Sequence, residues 1–317
     1  MTARVLITPR SLTARGLAAI PELDPLRWAG LELVAGPPGR QPTKYELLEL
    51  VPGVIGWIAG VERIDADVIA AAAALKVISR FGVGVDAVDM DAARRRGVAV
   101  ERAAGANASG VAELALTQIL NLNRGVVAAS TALGAGEWRR AIGRELAECV
   151  VGIVGLGAIG GRLARLVGIV QGPGGRVIGA DPAWPVGGPL PPGVAELVPL
   201  DRLFALADVV SLHCPPPPDG RPLVGAELLA AMPPGAVLVN TARSGLVDQA
   251  ALLAALHGGT LAGYAVDAFD HEPPPPSPLL GHPKVLATPH LGGFTKTANQ
   301  EMLAMAVAGV LRRLEAP

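Results

Sequence analysis

Three short segments of the sequence each carry a side chain that could act in acid–base or carboxylate chemistry. Arg243 lies in VNTARSG, Glu272 in VDAFDHEP and His290 in ATPHLGG. An arginine can hold a carboxylate through two parallel hydrogen bonds, and a histidine can transfer a proton near neutral pH. A glutamate close to that histidine can orient the ring and favour its charged form. Alone, a histidine beside glycines is more often a turn or core residue, so the surrounding elements must decide.

Each of these segments follows an apolar run that predicts a β-strand. The three runs are Ala236–Asn240, Leu261–Val266 and Val285–Ala287. In an open parallel sheet, ligands bind outside the carboxyl ends of the strands. We therefore expect the arginine, the glutamate and the histidine to lie along one edge of a sheet.

A glycine-rich loop follows another predicted strand, Val150–Val154, and precedes a predicted helix. Its sequence is Gly155-Leu156-Gly157-Ala158-Ile159-Gly160. The first glycine permits a tight turn, the second allows a pyrophosphate to approach the backbone, and the third lets helix and strand pack closely. The helix start at Ala158 and Ile159 offers backbone N–H groups and a partial positive charge to the phosphates. The pattern predicts a dinucleotide site.

An acidic residue, Asp181, ends the next predicted strand, Arg176–Ala180, 21 residues after Gly160. A carboxylate at this place accepts hydrogen bonds from the ribose 2′-hydroxyl and repels a 2′-phosphate. The three residues that follow, Pro-Ala-Trp, include no arginine. The predicted cofactor is therefore NAD rather than NADP.

Strand-like and helix-like segments alternate along most of the chain, which predicts an α/β protein with parallel sheets. A long apolar helix at 107–124 separates two such series, and the last segment, 296–314, is a helix with no strand after it. Because a lone helix cannot bury its apolar face, we expect it to return to the first series. The predicted fold is two Rossmann-like or flavodoxin-like domains. A nucleotide-binding domain, 103–290, is inserted into a discontinuous substrate-binding domain, 1–102 plus 291–317.

Composition excludes several classes of protein. Of 317 residues, 50% are hydrophobic and 17% charged, and the formal net charge is −1, so a nucleic-acid partner is not expected. The two cysteines, Cys149 and Cys214, lie far apart in sequence, which fits a reducing cytoplasm and predicts no metal site. Apolar stretches are interrupted before they could span a membrane, and the first residues lack the apolar core of a signal peptide.

The motifs together resemble the D-isomer-specific 2-hydroxyacid dehydrogenases, close to the D-3-phosphoglycerate dehydrogenase branch. The resemblance covers essentially the whole chain, and its motifs occur in the family's order. Besides the segments above, they are Arg80-Phe81-Gly82-Val83-Gly84-Val85-Asp86, Gly105-Ala106-Asn107-Ala108 with Val111-Ala112-Glu113, and His213-Cys214-Pro215.

The resemblance implies a role for each matching residue. Arg243 would bind the substrate carboxylate and carbonyl, His290 would be the acid–base, and Glu272 would pair with it. The substrate-carboxylate loop would comprise Arg80, Gly82, Val83 and Gly84. Asp267 and the backbone around Cys214, Pro215, Thr241 and Ala242 would hold the nicotinamide end of NAD. We expect the substrate to lie in the cleft between the domains. Helix 107–124 carries apolar residues on nearly every face, so we expect it to be buried between domains or between subunits and to contribute to a homodimer interface.

The sequence alone does not identify the substrate. Many phosphoglycerate dehydrogenases carry an Arg-Ser pair in the loop that corresponds to residues 58–61, where this chain has Ile-Ala-Gly-Val. D-3-phosphoglycerate is the leading named substrate, and glyoxylate, hydroxypyruvate or another small 2-oxo acid is the alternative. A protein of another class, an NAD(H)-sensing corepressor on the same scaffold, can retain the triad. Turnover of 2-oxo acids with NADH separates the enzyme from the sensor.

Overall fold

The computed structural model describes residues 3–184 and 189–315. The chain forms two compact units: residues 1–107 with 296–317, and residues 108–295. These boundaries lie five residues further along the chain than the predicted ones, 102/103 and 290/291. The predicted domains also take in residues 1, 2, 185–188, 316 and 317, which lie outside the described residues.

Strands and helices alternate in both units. The strands are β1 (Arg4–Ile7), β2 (Glu32–Ala35), β3 (Val54–Ala59), β4 (Val77–Arg80), β5 (Ala99–Arg102), β6 (Val150–Val154), β7 (Arg176–Ala180), β8 (Glu196–Leu197), β9 (Val209–Leu212), β10 (Ala236–Asn240), β11 (Leu261–Val266) and β12 (Val285–Ala287). The α-helices are α1 (Arg10–Thr13), α2 (Asp24–Trp28), α3 (Lys44–Leu50), α4 (Ala66–Ala71), α5 (Met90–Arg95), α6 (Ala108–Arg124), α7 (Val126–Gly134), α8 (Ala158–Gln171), α9 (Leu200–Leu206), α10 (Ala226–Ala231), α11 (Gln249–Gly258) and α12 (Lys296–Glu315).

The first unit is built on a five-stranded sheet with the order β2-β1-β3-β4-β5. Every pair of neighbouring strands is parallel, and this order is that of the flavodoxin-like fold. The last helix of the chain, α12, packs on this sheet, where Leu303, Ala306 and Val310 join one core with Val5 and Ile7. The sheet thereby covers the apolar face that a lone helix would leave exposed.

The second unit is built on a seven-stranded sheet with the order β12-β11-β10-β9-β6-β7-β8. All of its pairs are parallel. Counted from β6, this is the Rossmann order 3-2-1-4-5-6 with one further strand, β12, at the edge. The predicted fold class, two parallel-sheet α/β domains with the nucleotide-binding one inserted into the other, is confirmed.

Several helices start at residues that cap their first turn. Thr43 and Glu46 form a reciprocal capping box at α3, and Asp65, Asp89 and Asp248 accept backbone hydrogen bonds at the starts of α4, α5 and α11. Such caps satisfy N–H groups that have no partner within the helix. The polar residues before each helix therefore fix where the strand-to-helix loops end.

The sequence did not predict β8. This strand has only two residues at the edge of the sheet, which is too short to give a recognisable alternation. The predicted burial of helix α6 between subunits stays a prediction, and within its own unit the helix buries one face, including Val111, Ala115 and Ile119. Its outward positions are polar, for example Glu113. Within the described residues, no helix is long and apolar enough to cross a membrane.

Candidate active site

The glycine-rich loop joins β6 to the start of α8 in a tight turn. Gly155 has a φ angle of 89°, and a Cβ at this position would lie 2.8 Å from the backbone nitrogen of Cys214. A side chain at Gly160 is excluded even more strongly, because a Cβ there would lie 1.9 Å from the carbonyl oxygen of Gly155. Apart from Gly157 and its chain neighbours, no described residue places an atom within 4 Å of a Cβ built at Gly157, so the backbone is open to a ligand.

Helix α8 begins directly after this loop, with Ala158 and Ile159 in its first turn. No side chain caps this helix, although its first backbone N–H groups have no partner within the helix. Such an N-terminus attracts an anion through its N–H groups and the helix dipole. The loop and the helix start together form a cradle suited to a pyrophosphate.

Asp181 follows β7 and contacts the same loop. Its Oδ2 accepts a hydrogen bond from the backbone nitrogen of Leu156 at 2.6 Å, and its Oδ1 accepts one from that of Ala183 at 2.8 Å. The carboxylate is therefore fixed beside the glycine-rich loop. Sequence alone placed it at the end of the strand but gave no sign that it would also bind the loop backbone.

A half-buried histidine, His213, directly follows β9 and lies between a side chain of β9 and one of the loop after β10. Its ring nitrogens lie 2.9 Å from Oγ of Ser211 and 3.5 Å from Oγ1 of Thr241. Burial lowers the pKa of His213 to about 4, so the ring is neutral at physiological pH. Cys214, which has a free thiol, and Pro215 follow it along the chain. A neutral hydrogen-bonded histidine thus links two of the loops predicted to contact the nicotinamide.

The arginine loop begins directly after β10. Arg243 is half-buried and extended, and its Nη1 donates to the carbonyl oxygen of Ala242 at 2.8 Å. Asn240 holds the loop, because its Nδ2 donates to the carbonyl oxygen of Arg243 at 2.8 Å. Ser244 donates to Asp270 at 2.6 Å and so ties this loop to the segment that carries Glu272.

The structure brings together His290 and Glu272, the two residues predicted to form an acid–base pair. Nδ1 of His290 lies 2.6 Å from Oε1 of Glu272, and the same oxygen accepts a hydrogen bond from the backbone nitrogen of Phe269 at 3.2 Å. Both side chains are partly exposed, at 49% for the histidine and 40% for the glutamate. Because Nδ1 is engaged by the carboxylate, Nε2 is the nitrogen through which the ring could reach a substrate.

The turn that carries His290 has an unusual backbone. His290 has a φ angle of 53°, in the left-handed region that side chains other than glycine rarely adopt. Asp267 holds the turn on both sides of the histidine: it accepts hydrogen bonds from Oγ1 of Thr288 at 2.6 Å and from the backbone nitrogens of Leu291 and Gly292, both at 2.8 Å. Asp267 is 1% exposed. The contact of Asp267 with the nicotinamide stays a prediction. Its hydrogen bonds to the turn of His290 were not predicted from the sequence.

In the first unit, the predicted substrate-carboxylate loop follows β4. The Arg80 guanidinium is buried and donates to two backbone carbonyl oxygens, those of Ala59 and Gly84, at 3.0 Å each. Burial lowers the pKa of Arg80, which the nearby Glu62 and Asp86 carboxylates oppose. This geometry favours a role in holding the loop of Gly82, Val83 and Gly84 over direct contact with a substrate.

Sequence reasoning missed Glu62. This residue follows β3 and is 3% exposed, and its Oε1 accepts hydrogen bonds from the hydroxyl of Thr8 and from the backbone nitrogen of Gly60, the latter at 2.9 Å. In the sequence, Glu62 and Arg63 stand between two apolar residues, Val61 and Ile64. This position was the only indication that Glu62 could be buried. The carboxylate ties together the ends of β1 and β3.

Comparison with known proteins identifies the family. The family model described as "D-isomer specific 2-hydroxyacid dehydrogenase, NAD binding domain" matches residues 116–292. The chain belongs to the D-isomer-specific 2-hydroxyacid dehydrogenase family. The resemblance seen in the sequence is thus confirmed, and the second unit contains the family's NAD-binding domain.

Relatives within this family carry different names. D-3-phosphoglycerate dehydrogenase of Mycobacterium tuberculosis is 36% identical over 98% of this chain, which spans 58% of the length of that relative. An (S)-sulfolactate dehydrogenase of Chromohalobacter salexigens is 38% identical over 80% of this chain and 82% of its own length. The crystal structure of a glyoxylate reductase from Paecilomyes thermophila is 27% identical, with a TM-score of 0.84 over 99% of this chain and 96% of its own.

The residues present fit the NAD of the family. A Cβ at Gly160 would clash with the carbonyl of Gly155, whereas the open side of Gly157 leaves room for a pyrophosphate. The helix start supplies N–H groups for the phosphates, and Asp181 lies beside the loop with a carboxylate for the ribose hydroxyls. The roles of the individual residues remain predictions.

Cofactor choice is expected to depend on the charge of Asp181. Asp181→Asn keeps an oxygen that can accept the hydrogen bond from Leu156 but removes the charge that repels a 2′-phosphate. We expect the ratio of the Kd for NADPH to the Kd for NADH to fall about tenfold or more, because the carboxylate no longer repels the 2′-phosphate of NADPH. Kd values for both cofactors, measured by fluorescence titration, test this. Equal binding of both cofactors by the wild type would remove Asp181 from this role.

Proposed function

We propose that the protein is an NAD-dependent dehydrogenase that interconverts a D-2-hydroxy acid and its 2-oxo acid. The observation that carries this proposal is the 2.6 Å pair of His290 and Glu272. This pair, the arginine loop and the glycine-rich loop all follow strands of one parallel sheet, at the edge where such sheets bind ligands. Membership of the family supports the same activity.

The side chains of the second unit can perform the proton chemistry of this reaction. In the direction of reduction, a 2-oxo acid, NADH and a proton give a 2-hydroxy acid and NAD⁺. When bound, the cofactor supplies or accepts the hydride at C2 of the substrate. We propose that Arg243 binds the substrate carboxylate and that His290 delivers the proton from Nε2 to the carbonyl oxygen. Glu272 keeps the ring oriented through its hydrogen bond with Nδ1.

The substrate-carboxylate loop is proposed to act through its backbone. The small residues Gly82 and Gly84 leave N–H groups accessible to a carboxylate, as in other backbone anion sites. Arg80 holds the loop through the carbonyl oxygen of Gly84. In this assignment Arg80 positions the loop rather than touching the substrate.

D-3-phosphoglycerate is the leading named substrate, supported by the name of the M. tuberculosis relative. A specific observation favours the alternative, glyoxylate, hydroxypyruvate or another small 2-oxo acid. The loop at residues 58–61 lacks the arginine of many phosphoglycerate dehydrogenases. This loop therefore offers no guanidinium to a phosphate group of the substrate.

A panel of 2-oxo acids tests both the activity and the substrate class. NADH oxidation would be followed with 3-phosphohydroxypyruvate, hydroxypyruvate, glyoxylate and pyruvate, and kcat/KM compared. Rapid turnover of at least one of them is expected. Tight NADH binding without turnover on the whole panel would instead indicate the NAD(H)-sensing class of protein.

The protein is further proposed to be a cytoplasmic homodimer. Cytoplasmic conditions suit the free thiols of Cys149 and Cys214. The dimer surface is better placed on residues 126–142 than on α6, whose outward positions are polar. Helix α7 has no buried residue, and the apolar side chains of Leu133, Trp138 and Ile142 are exposed, at 59%, 78% and 104%. Patches of this kind mark protein–protein contacts, and a second copy of the chain is the partner we propose.

A charge placed on this surface is expected to dissociate the dimer. Leu133→Asp buries a carboxylate without a partner, which disfavours association. Sedimentation should give a dimer for the wild type at micromolar concentration and a smaller species for the variant. Trp28→Asp is the matched control, because Trp28 is equally apolar and 81% exposed in the first unit. A monomeric wild type, or loss of the dimer in the control alone, would contradict this assignment.

A further inference from the structure

The turn that carries His290 depends on contacts from outside itself. A left-handed backbone at a residue other than glycine costs free energy and persists only where its surroundings hold it. Asp267 supplies three hydrogen bonds to this turn, and one of them reaches the Thr288 hydroxyl at 2.6 Å. The stability of the turn therefore depends in part on the orientation of that hydroxyl.

A glutamine on α6 contacts the same hydroxyl. Gln118 is 1% exposed, and its Nε2 donates to Oγ1 of Thr288 at 3.1 Å across 170 positions of the chain. Most residues on the buried face of the helix are apolar, among them Ala115 and Ile119. Oε1 of Gln118 is buried and has no hydrogen-bond partner within the described residues. Burying an amide that is only partly satisfied is costly, so its place here requires an explanation.

The hydrogen bond from Gln118 determines which acceptor the Thr288 hydroxyl can donate to. A threonine hydroxyl has one hydrogen and two acceptor sites. When Gln118 donates to the Thr288 oxygen, the hydroxyl hydrogen is left to be donated onward. It can go to Asp267 at 2.6 Å or to the carbonyl oxygen of Val266 at 3.4 Å, and the shorter bond is the stronger one. The result is a chain from the Gln118 amide through the Thr288 hydroxyl to the Asp267 carboxylate.

We infer that Gln118 is a positioning residue for His290, acting through Thr288 and Asp267 to hold the turn in its left-handed conformation. The inference rests on the proposed function for its catalytic consequence, because only then does the position of the His290 ring set a reaction rate. Without Gln118 the Thr288 hydroxyl is free to rotate toward Val266, and Asp267 loses one of the contacts that fix it. The ring then samples positions from which proton delivery is slower.

Gln118→Met tests this inference, with Gln171→Met as its matched control. Methionine keeps the length and volume of the side chain but neither donates nor accepts as an amide does. Gln171 is also a buried helical glutamine of the second unit, with an unpartnered Oε1, but its Nε2 donates to the carbonyl oxygens of Leu146 and Cys149. Both variants lose an amide, and only the first loses a contact with the histidine turn.

Three readouts separate positioning from a general loss of stability. We expect Gln118→Met to lower kcat for 2-oxo acid reduction by about fivefold, the factor that corresponds to one neutral hydrogen bond, with little change in Kd for NADH. Hydrogen exchange of the Leu291 and Gly292 amides should become faster in this variant. Gln171→Met should change Tm but neither kcat nor this exchange.

The partner of Gln118 gives a second test if Gln118→Met does not fold. Thr288→Val should reproduce the drop in kcat and the faster exchange, and Thr288→Ser, which keeps the hydroxyl, should largely restore both. Adding Gln118→Met to Thr288→Val should cost little more, because both changes break one chain of hydrogen bonds.

Several outcomes would overturn the inference: wild-type kcat and exchange in Gln118→Met, equal losses in Gln171→Met, or full additivity in the double variant. If Thr288→Ser lost as much as Thr288→Val, the hydroxyl would not be the link. A wild type that turns over no 2-oxo acid would refute the proposed function instead. The exchange of Leu291 and Gly292 would then still report whether Gln118 holds the turn.

Discussion

Replacing Arg243 with lysine is expected to lower kcat/KM for 2-oxo acid reduction about a hundredfold or more, with little change in the affinity for NADH. Arginine presents a planar fork of N–H groups that matches the two oxygens of a carboxylate. Lysine keeps the charge but offers a single ammonium, which cannot form two parallel hydrogen bonds. The substrate would then be held less firmly and in the wrong orientation for the reaction.

The surroundings of Arg243 support a specific role for its side chain. The loop backbone is fixed by Asn240, and Ser244 ties the loop to Asp270 in the segment before Glu272. The lysine variant therefore changes the end of the side chain while the loop that presents it keeps its own anchors. Its effect is expected in substrate binding and turnover rather than in folding.

A matched control is available at Arg176, which lies on the same unit and pairs with Glu196 on the surface at 2.8 Å. Exposed ion pairs of this kind contribute little, so Arg176→Lys should leave kcat/KM unchanged. Steady-state kinetics with the best 2-oxo acid and NADH titrations of all three proteins check the prediction. Turnover near the wild-type rate in Arg243→Lys would remove Arg243 from the substrate site.

Local sequence patterns predicted most of the second unit. The strands β6, β7, β10, β11 and β12 begin and end as predicted, because each is a short apolar run between polar or glycine-rich turns. Strand ends in the first unit are harder to predict, since they mix apolar and polar side chains, as in β5 with Glu101 and Arg102. The glycine-rich loop was also predictable from local sequence, because binding a dinucleotide requires glycines at fixed, closely spaced positions.

The contacts that hold the site could not be predicted in this way. Gln118 contacts Thr288 across 170 positions of the chain, and in the sequence it is one of several polar residues of its helix. Asp267 was assigned to the cofactor by resemblance, and nothing local indicates that it also holds the histidine turn. The burial of Glu62 and the exposure of α7 depend on what the rest of the fold covers. These features arise from tertiary packing, which spacing along the chain does not encode.

Removing the imidazole of His290 is expected to have the largest effect of any single substitution. His290→Gln should lower kcat about 10²–10⁴-fold in both directions, the range over which general acid–base groups contribute, while NADH binding and folding stay largely intact. His257→Gln is the matched control, because His257 is an exposed histidine of the same unit whose ring contacts His282 rather than a carboxylate. A comparable loss in the control would mean that the assay reports folding rather than proton transfer.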